Sequence, residues 1–340
     1  MKKKKKVGLK EIAKDAGVSI ATVSYVLSKG KNSRVSVEMS KKIEKIAKDL
    51  NYQPNRIAQS LKSGKTFTIG LIVADISNPF FAHIARIIED EASKSNYTVI
   101  FGSSDEKPDK TMHLLEFFAN RQVDGFILAP SRDSNKQILF LQERGIPFVL
   151  IDRFFPEIET NYVAIDNYEA SYKATERLVN TGNSKIGMIA YDTPLFHMKE
   201  RIRGYEEALE NNAIEPNKKW LKEIDVSNIQ REIAPAIEDL LKGEQAVESL
   251  FFATNTLAIA GLKHLEHLNL KVPDDVRIVS FDEGEAFDFF YCPLTHVRQP
   301  LAEMGKKAVE ILIEQITDPE NIKQKISLNA ELVLRQSCRK

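Results

Sequence analysis

The chain has 340 residues, a length typical of two or three domains, and its 43% hydrophobic and 28% charged residues are ordinary for a globular protein. These proportions exclude a disordered chain, a collagen and a small disulfide-rich scaffold. The net charge of zero conceals an asymmetry: residues 1–66 hold 17 Lys and Arg against 5 Asp and Glu, whereas residues 67–340 hold 31 against 43. A basic segment on an acidic body indicates that one end of the chain binds a polyanion.

The sequence argues against export and against a membrane span. Cys292 and Cys338 lack the spacing of a disulfide framework or a zinc site, so a reduced, cytoplasmic setting is expected. Charged residues recur directly after the N-terminal lysines, which disfavours a signal peptide, and no 18-residue apolar stretch occurs. We find no phosphate-binding loop, metal motif or nucleophile motif, and therefore expect no cofactor, no metal and no enzyme activity.

Residues 9–50 have the periodicity of three short helices. The first is expected to end at Gly17, and Ser19 and Ser36 are placed to cap the second and the third. Two helices joined by a tight turn form the helix-turn-helix arrangement, which together with the basic charge predicts DNA binding. A short fourth helix is predicted near residues 55–61, followed by a linker.

From residue 67 onward, apolar strands alternate with helices, which predicts parallel sheets covered by helices on both faces. There are too many strands for one sheet, so we expect two doubly wound α/β lobes. Ligands of such lobes bind at the carboxyl ends of strands, which here points to Asp75, Asp152, Asn255 and Asp282.

Ordered motifs give the chain a resemblance to the lactose-repressor (LacI/GalR) family. LKEIAKDAGVSIATVSYVLS (9–28) and LNYQPNRIAQSLKSGKT (50–66) resemble its DNA-binding head. GLIVADISNPFF (70–81), RIRGYEEAL (201–209) and VPDDVRIVSFD (272–282) resemble its ligand-binding body. The resemblance covers essentially the whole chain after residue 8. It implies an all-α helix-turn-helix head followed by a two-lobed body like that of periplasmic binding proteins.

The resemblance also implies roles for individual residues. In the head it implies groove and phosphate contacts by the second helix, and insertion of Leu61 into the minor groove from a hinge helix. The implied DNA-binding residues are Ser19, Ile20, Ala21, Thr22, Ser24, Tyr25, Asn55, Arg56, Ala58 and Leu61. The implied ligand-binding residues are Asn78, Phe80, Asp152, Arg201, Asn255, Asp282 and Gln299.

Alternatives remain open at several of these positions. Asp152 and Asp282 could only cap the turns that follow them, and Phe81, a further candidate beside Phe80, could be an ordinary core residue. The chain also departs from the family pattern, because many relatives have Arg at the position of Tyr25 and Asp at that of Thr256. Both departures leave the operator sequence and the identity of the ligand open.

The implied domains are a DNA-binding head with a hinge helix, residues 1–62, and a ligand-binding and dimerisation body, residues 63–340. Lobe 1 is expected at about 67–162 and 293–324, and lobe 2 at about 163–292 and 325–340. The implied function is a homodimeric repressor of carbohydrate-utilisation genes that binds a pseudo-palindromic operator and responds to a sugar or a sugar acid. The alternatives are a sugar-binding transport protein, which would need an export signal, and a sugar-active enzyme on a related scaffold, which would need a catalytic constellation.

Overall fold

The computed structural model describes residues 8–29, 35–52 and 64–339, and the chain divides into one unit that ends at Thr66 and a second that begins at Phe67. The expected boundary lay at 62/63. The hinge-helix residues predicted to contact DNA lie outside the described residues; they are Asn55, Arg56, Ala58 and Leu61.

The described part of the first unit contains three helices. They are α1 (Leu9–Ala16), α2 (Ile20–Lys29) and α3 (Val37–Asp49). Helix α1 ends at Gly17, whose φ of 73° is left-handed and whose N–H donates to the carbonyls of Ala13 and Lys14. The predicted tight turn between α1 and α2 is therefore confirmed.

Hydroxyl side chains begin the next two helices. Ser19 Oγ accepts from the Thr22 N–H at 3.1 Å, and Ser36 Oγ accepts from the Met39 N–H at 3.3 Å. Each bond satisfies an amide that has no partner within its own helix. Both predicted caps are confirmed.

The three helices enclose a small core. Ile12 of α1, Val23 of α2 and Ile43 of α3 are fully buried and belong to one apolar cluster. The Lys42 side chain also donates to the Ala16 carbonyl at 3.2 Å, so α3 satisfies the end of α1. This packing fixes the orientation of α2 relative to α1 and α3.

The body is built from alternating strands and helices. In chain order these are β1 (Thr68–Val73), α4 (Pro79–Lys94), β2 (Thr98–Ser103), α5 (Pro108–Asn120), β3 (Gly125–Leu128), α6 (Asn135–Glu143), β4 (Phe148–Ile151), β5 (Tyr162–Ile165), α7 (Asn167–Asn180), β6 (Ile186–Tyr191), α8 (Phe196–Asn211), β7 (Leu221–Ile224), α9 (Ile229–Leu241), β8 (Ser249–Phe252), α10 (Asn255–His267), β9 (Arg277–Phe281), α11 (Glu285–Phe289), β10 (Thr295–Arg298), α12 (Leu301–Thr317), β11 (Lys325–Leu328) and β12 (Glu331–Val333). Within the described ranges, no helix combines the length and hydropathy needed to cross a membrane.

The strands form two six-stranded sheets. The order in lobe 1 is β11-β5-β4-β3-β1-β2, and the order in lobe 2 is β12-β10-β9-β8-β6-β7. All pairings are parallel except that of β12 with β10. Central strands such as β3, β4 and β8 are buried throughout, which explains why they read as continuous apolar runs. The predicted fold class is confirmed.

The predicted lobe boundaries are wrong at each crossing between the lobes. Strand β5 was expected in lobe 2, yet it pairs with β4 and β11 in lobe 1. Strand β10 was expected in lobe 1 and pairs with β9 in lobe 2, while β11 was expected in lobe 2 and pairs with β5. The apolar pattern of a strand shows that it is buried but not which sheet satisfies its backbone groups.

Two elements are absent from the sequence prediction. Strand β7 lies at the edge of the lobe 2 sheet, and its sequence LKEI carries two charged residues, so it lacks the apolar run of the central strands. Helix α11 has only five residues, too few for a helical period to be recognised.

Candidate ligand cleft and DNA-binding surface

The strand orders place the topological switch points of both lobes at one cleft. In lobe 1 the chain passes from β1 to β2 on one side and then crosses back to β3 on the other side of β1, and in lobe 2 it does the same from β6 to β7 and then to β8. Side chains that follow these strands, among them Asp75, Tyr191 and Thr254, lie at the carboxyl edges where such folds bind ligands.

Two adjoining cavities occupy this cleft, with volumes of about 170 Å³ and 380 Å³. Both are lined by Glu106, Arg153, Tyr191 and His197, so the space is continuous. Six of the seven predicted ligand residues line the smaller cavity, which we call the inner cavity: Asn78, Phe80, Asp152, Arg201, Asp282 and Gln299. The seventh, Asn255, is buried beside it.

Asp152 and Asp282 occupy corresponding positions after β4 and β9. Both adopt the left-handed backbone region, with φ of 68° and 64°, which turns their carboxyl groups sharply away from the strand direction. Gln299 Nε2 donates to Asp282 Oδ1 at 2.6 Å. Burial raises the pKa of Asp152 to about 6, against the lowering effect of Arg153 and Arg201, and burial likewise raises the pKa of Asp282.

Arg201 of α8 is 3% exposed and is held by three contacts. Its Nε donates to Asn167 Oδ1 at 2.8 Å, one terminal nitrogen donates to the Ala253 carbonyl at 2.7 Å, and its guanidinium lies 3.5 Å from the centre of the Phe281 ring. Burial lowers the pKa of this guanidinium. These contacts lock its rotamer, which is what a preorganised binding group requires.

Two predicted polar residues form a contact between the lobes. Asn78 Oδ1 accepts from the Phe80 N–H at 3.0 Å and so caps α4. The same oxygen lies 3.4 Å from Asn255 Nδ2, which donates to it from lobe 2. Thr256, the departure from the family pattern, donates to Asn255 Oδ1 at 3.2 Å. Asn255 therefore stabilises the wall of the cleft through its contact with Asn78 and does not itself line the inner cavity.

Aromatic rings form part of the cavity wall. Phe80 and Phe81 both line it, and their ring centres lie 5.0 Å apart in an edge-to-face arrangement. Phe196, the first residue of α8, packs on Phe154 with ring centres 5.1 Å apart. The neighbouring Leu195 of the lobe 2 chain is buried in the apolar core of lobe 1. This pair therefore joins the lobes and does not line the inner cavity.

The sequence analysis missed two residues that line the cleft, His197 and Tyr191. His197 Nδ1 is buried without a hydrogen-bond partner, as is Oε1 of the predicted residue Gln299. Burial, followed by the charges of Arg153 and Arg201, lowers the pKa of His197, so its ring is neutral near pH 7. His197 precedes Arg201 by four positions on one face of α8, a signal that could have identified it. Tyr191 follows β6, where the strand-end rule applies equally.

The described residues contain no group of three or more His, Cys, Asp or Glu side chains arranged to hold a metal ion. The cleft is thus a set of hydrogen-bonding groups around aromatic rings. Its chemistry is that of binding a small polar molecule.

In the head, the six predicted DNA-contact residues with described positions lie together at the start of α2. Ser19, Ile20 and Ala21 are exposed, and Ile20 exposes 48% of its surface to solvent. Thr22, Ser24 and Tyr25, which lie further along the helix, are half-buried. Three of the six residues are therefore exposed at the start of α2.

Comparisons with known proteins agree with both parts of the structure. The family model "Bacterial regulatory proteins, lacI family" matches residues 8–55, and "Periplasmic binding protein-like domain" matches residues 175–338. The chain is 32% identical over 334 residues to the HTH-type transcriptional repressor PurR of Aliivibrio salmonicida (strain LFI1238), covering 98% of this chain and 99% of that relative. The chain belongs to the LacI family of bacterial regulatory proteins.

Other LacI-family relatives match over similar lengths. The ribose operon repressor of Haemophilus influenzae is 32% identical over 331 residues, covering 97% of this chain and 98% of that one. A solved structure of the transcriptional regulator CelR in complex with cellobiose has a TM-score of 0.72 and 27% identity, covering 97% of this chain and 99% of that chain. The chain is thus a DNA-binding transcriptional regulator with a ligand-binding body.

Proposed function

We propose that this LacI-family regulator is a repressor whose operator affinity is controlled by a small, hydroxyl-rich ligand bound between the two lobes of its body. The observation that carries the proposal is a set of three buried atoms without hydrogen-bond partners on residues that line one cavity: Arg153 Nε, His197 Nδ1 and Gln299 Oε1. A native protein leaves few buried polar atoms unpaired, so a ligand is expected to satisfy them.

The proposed ligand is a sugar or a close derivative. The carboxyl groups of Asp152 and Asp282 can accept from hydroxyls, Arg201 can donate, and the Phe80 ring offers an apolar surface for a sugar ring. The cavity of about 170 Å³ adjoins the larger one of about 380 Å³, which together give room for a sugar-sized ligand. The cellobiose complex of CelR supports the same class of ligand.

The proposed DNA contacts come from the start of α2 and from the hinge segment. Exposed Ile20 and Ala21 can make apolar contacts to thymine methyl groups in the major groove, where Ser19 and Tyr25 are also proposed to lie. Thr22 and Ser24 are proposed to contact phosphates. Leu61, with Asn55, Arg56 and Ala58, is proposed to bind the minor groove. Because a regulator must reach chromosomal DNA, we propose that the protein acts in the cytoplasm.

One head contacts one half-site, so reading a pseudo-palindrome requires two copies of the chain. The proposed contact is the outer edge of lobe 1, formed by strand β2 and the start of α4. Ile76, Ile100 and Phe101 expose 37%, 38% and 61% of their surfaces there, and β2 is an edge strand. An apolar row on an unpaired edge favours association with a second copy.

Control is proposed to act through the contacts between the lobes. The Asn78–Asn255 contact and the insertion of Leu195 into the lobe 1 core both depend on how far the cleft is closed. A ligand that binds the closed arrangement more tightly shifts the population toward it, and operator affinity changes by the same coupling free energy. Release of repression by the ligand is the direction we propose.

The function is tested by selecting genomic DNA fragments with the purified protein at two salt concentrations and sequencing them. We expect enrichment of a pseudo-palindrome beside genes of carbohydrate use. Enrichment of unrelated sequences that disappears at the higher salt would contradict sequence-specific binding, because nonspecific affinity is lost steeply with salt.

A further inference from the structure

The arginines near the cleft are already engaged by groups of the protein. Arg203, one of three arginines that could attract a sugar acid or a phosphorylated sugar, lies on the surface of α8 between Glu200 at 2.6 Å and Glu207 at 3.0 Å. Arg201 uses two donors on Asn167 and the Ala253 carbonyl. Arg153 is the second arginine that lines the inner cavity, and its partners decide whether it can receive an anion.

Arg153 is itself neutralised by two carboxyl groups. One of its terminal nitrogens lies 2.8 Å from Glu106 Oε1 and 2.9 Å from Glu106 Oε2. Its Nε lies 3.5 Å from Asp152 Oδ2, near enough for an ion pair but without a hydrogen bond, so this N–H lacks a partner. Burial acts to lower the pKa of Arg153, yet the charges of Glu106 and Asp152 raise it overall.

The backbone holds Glu106 in this position at a conformational cost. Asp105 and Glu106 are consecutive non-glycine residues in the left-handed region, with φ of 52° and 56°. Non-glycine residues seldom adopt this region and persist there only where surrounding contacts hold them. Here the Glu106 N–H donates to the Ala74 carbonyl at 3.0 Å and the Ser104 N–H donates to the Val73 carbonyl at 2.9 Å. The strained turn therefore directs the Glu106 carboxylate onto Arg153.

The inner cavity consequently carries more negative than positive charge. Four acidic side chains line it, against the two guanidinium groups of Arg153 and Arg201, and no lysine is among its lining residues. The acidic residues are Asp75, Glu106, Asp152 and Asp282. A phosphate or carboxylate on a ligand would meet this excess in a site that excludes much of the water, which is unfavourable.

We infer that Glu106 is a specificity-determining residue that excludes anionic ligands from the cleft by occupying Arg153, so that the cleft selects uncharged ligands. This inference rests on the proposed function of the cleft. Arg153 Nε has no hydrogen-bond partner and can donate to a neutral oxygen atom, and His197 and Gln299 supply further uncharged partners. Uronic acids and sugar phosphates are therefore excluded as ligands.

The test measures the affinity of the full-length protein for inorganic phosphate by calorimetry at constant ionic strength. We expect Glu106→Gln to bind phosphate in the cleft at least about tenfold more tightly than wild type does, because the substitution removes a like charge from beside the anion. Glu106→Ala gives the same test if the first variant does not fold.

Glu200→Gln is the matched control, because it also removes a carboxylate from an arginine pair but lies outside the cleft. Glu200→Gln should bind phosphate as weakly in the cleft as wild type does. Wild type that binds phosphate as tightly as Glu106→Gln would overturn the inference, as would an equal gain in Glu200→Gln. A merely structural Glu106 would change stability without a phosphate site. Selection of an operator by wild type is scored separately, so the proposed function stands or falls on a different measurement.

Discussion

At the scale of single residues, the aspartate after β4 gives the stability of the folded body a dependence on pH. Asp152 is 6% exposed, and its pKa rises from 3.8 to about 6 because burial disfavours the charged form. A carboxyl group whose pKa is raised by folding stabilises the folded state fully below pH 3.8, and that contribution is lost as the pH rises to about 6.

Asp152→Asn should therefore stabilise the body near pH 7 and not near pH 4. Asparagine tolerates the left-handed backbone at this position, so the substitution removes charge without adding strain. Between these pH values the difference in free energy of unfolding between variant and wild type should change by about 3 kcal/mol, from roughly 1.4 kcal/mol per pKa unit. Urea denaturation at both pH values measures it. A difference that does not vary with pH would contradict the buried, raised carboxyl group.

Some of the cleft could be predicted from sequence because certain residues hold positions that topology alone defines. Asp152 and Asp282 follow strands, and Gln299 stands where the chain crosses between lobes. Glu106 could not be predicted in this way, because its position depends on a left-handed turn in which neither residue, Asp105 or Glu106, is a glycine that would have indicated it. The unpaired atom of His197 depends equally on packing from both lobes.

At the scale of elements, the crossing of α7 and α8 supports the Arg201 side of the cleft. Gly204 lies at that crossing, and a Cβ there would approach the Tyr168 carbonyl to 2.3 Å and the Tyr172 nitrogen to 3.0 Å. Both are backbone atoms, so neither can rotate aside. The close approach of the helices fixes Arg201 beside Asn167.

Gly204→Ala should destabilise the body by about 1–3 kcal/mol or more, because overpacking must push the two helices apart. Gly284→Ala is a suitable control, since its Cβ would meet Phe287 at an ordinary 3.9 Å. Chemical denaturation followed by far-UV circular dichroism compares the two variants. Equal stability of both variants would mean that α7 and α8 can separate without cost.

The elements themselves differ in how well sequence predicts them. Central strands such as β8 are buried on both faces and stand out as apolar runs. Strand β7 escapes prediction because it is half-exposed at a sheet edge. The lobe to which β5, β10 and β11 belong could not be predicted, because the apolar pattern of a strand does not show which neighbour it pairs with.

At the scale of the whole molecule, the exposed apolar edge of lobe 1 predicts self-association. Phe101→Asp should weaken the proposed dimer by at least about tenfold, since it buries a charge among Ile76, Ile100 and their counterparts. Phe117→Asp replaces another exposed aromatic residue, on α5 and outside the β2 edge, and should leave the dimer intact. Sedimentation equilibrium measures both. Equal weakening by the two substitutions would place the dimer contact elsewhere.

The charge asymmetry predicts a second whole-molecule property. Replacing the five lysines at positions 2–6 with serine should make the salt dependence of DNA binding shallower by a similar amount on operator and on nonspecific DNA. Phosphate contacts position a protein without reading sequence, so the ratio of the two affinities should stay within about twofold. Fluorescence anisotropy over a salt series measures both slopes. Loss of operator preference would assign a sequence-reading role to these lysines.

The central claim is that a ligand in the cleft controls what the head does on DNA. Its most direct test is the affinity of the full-length protein for its selected operator, with and without the uncharged sugars that the neighbouring genes process. We expect one such sugar to weaken wild-type binding by about 5- to 150-fold, the usual range of allosteric coupling. Arg201→Ala should bind the operator as wild type does and lose this response. A response of full size in Arg201→Ala would contradict the claim that the cleft controls the head.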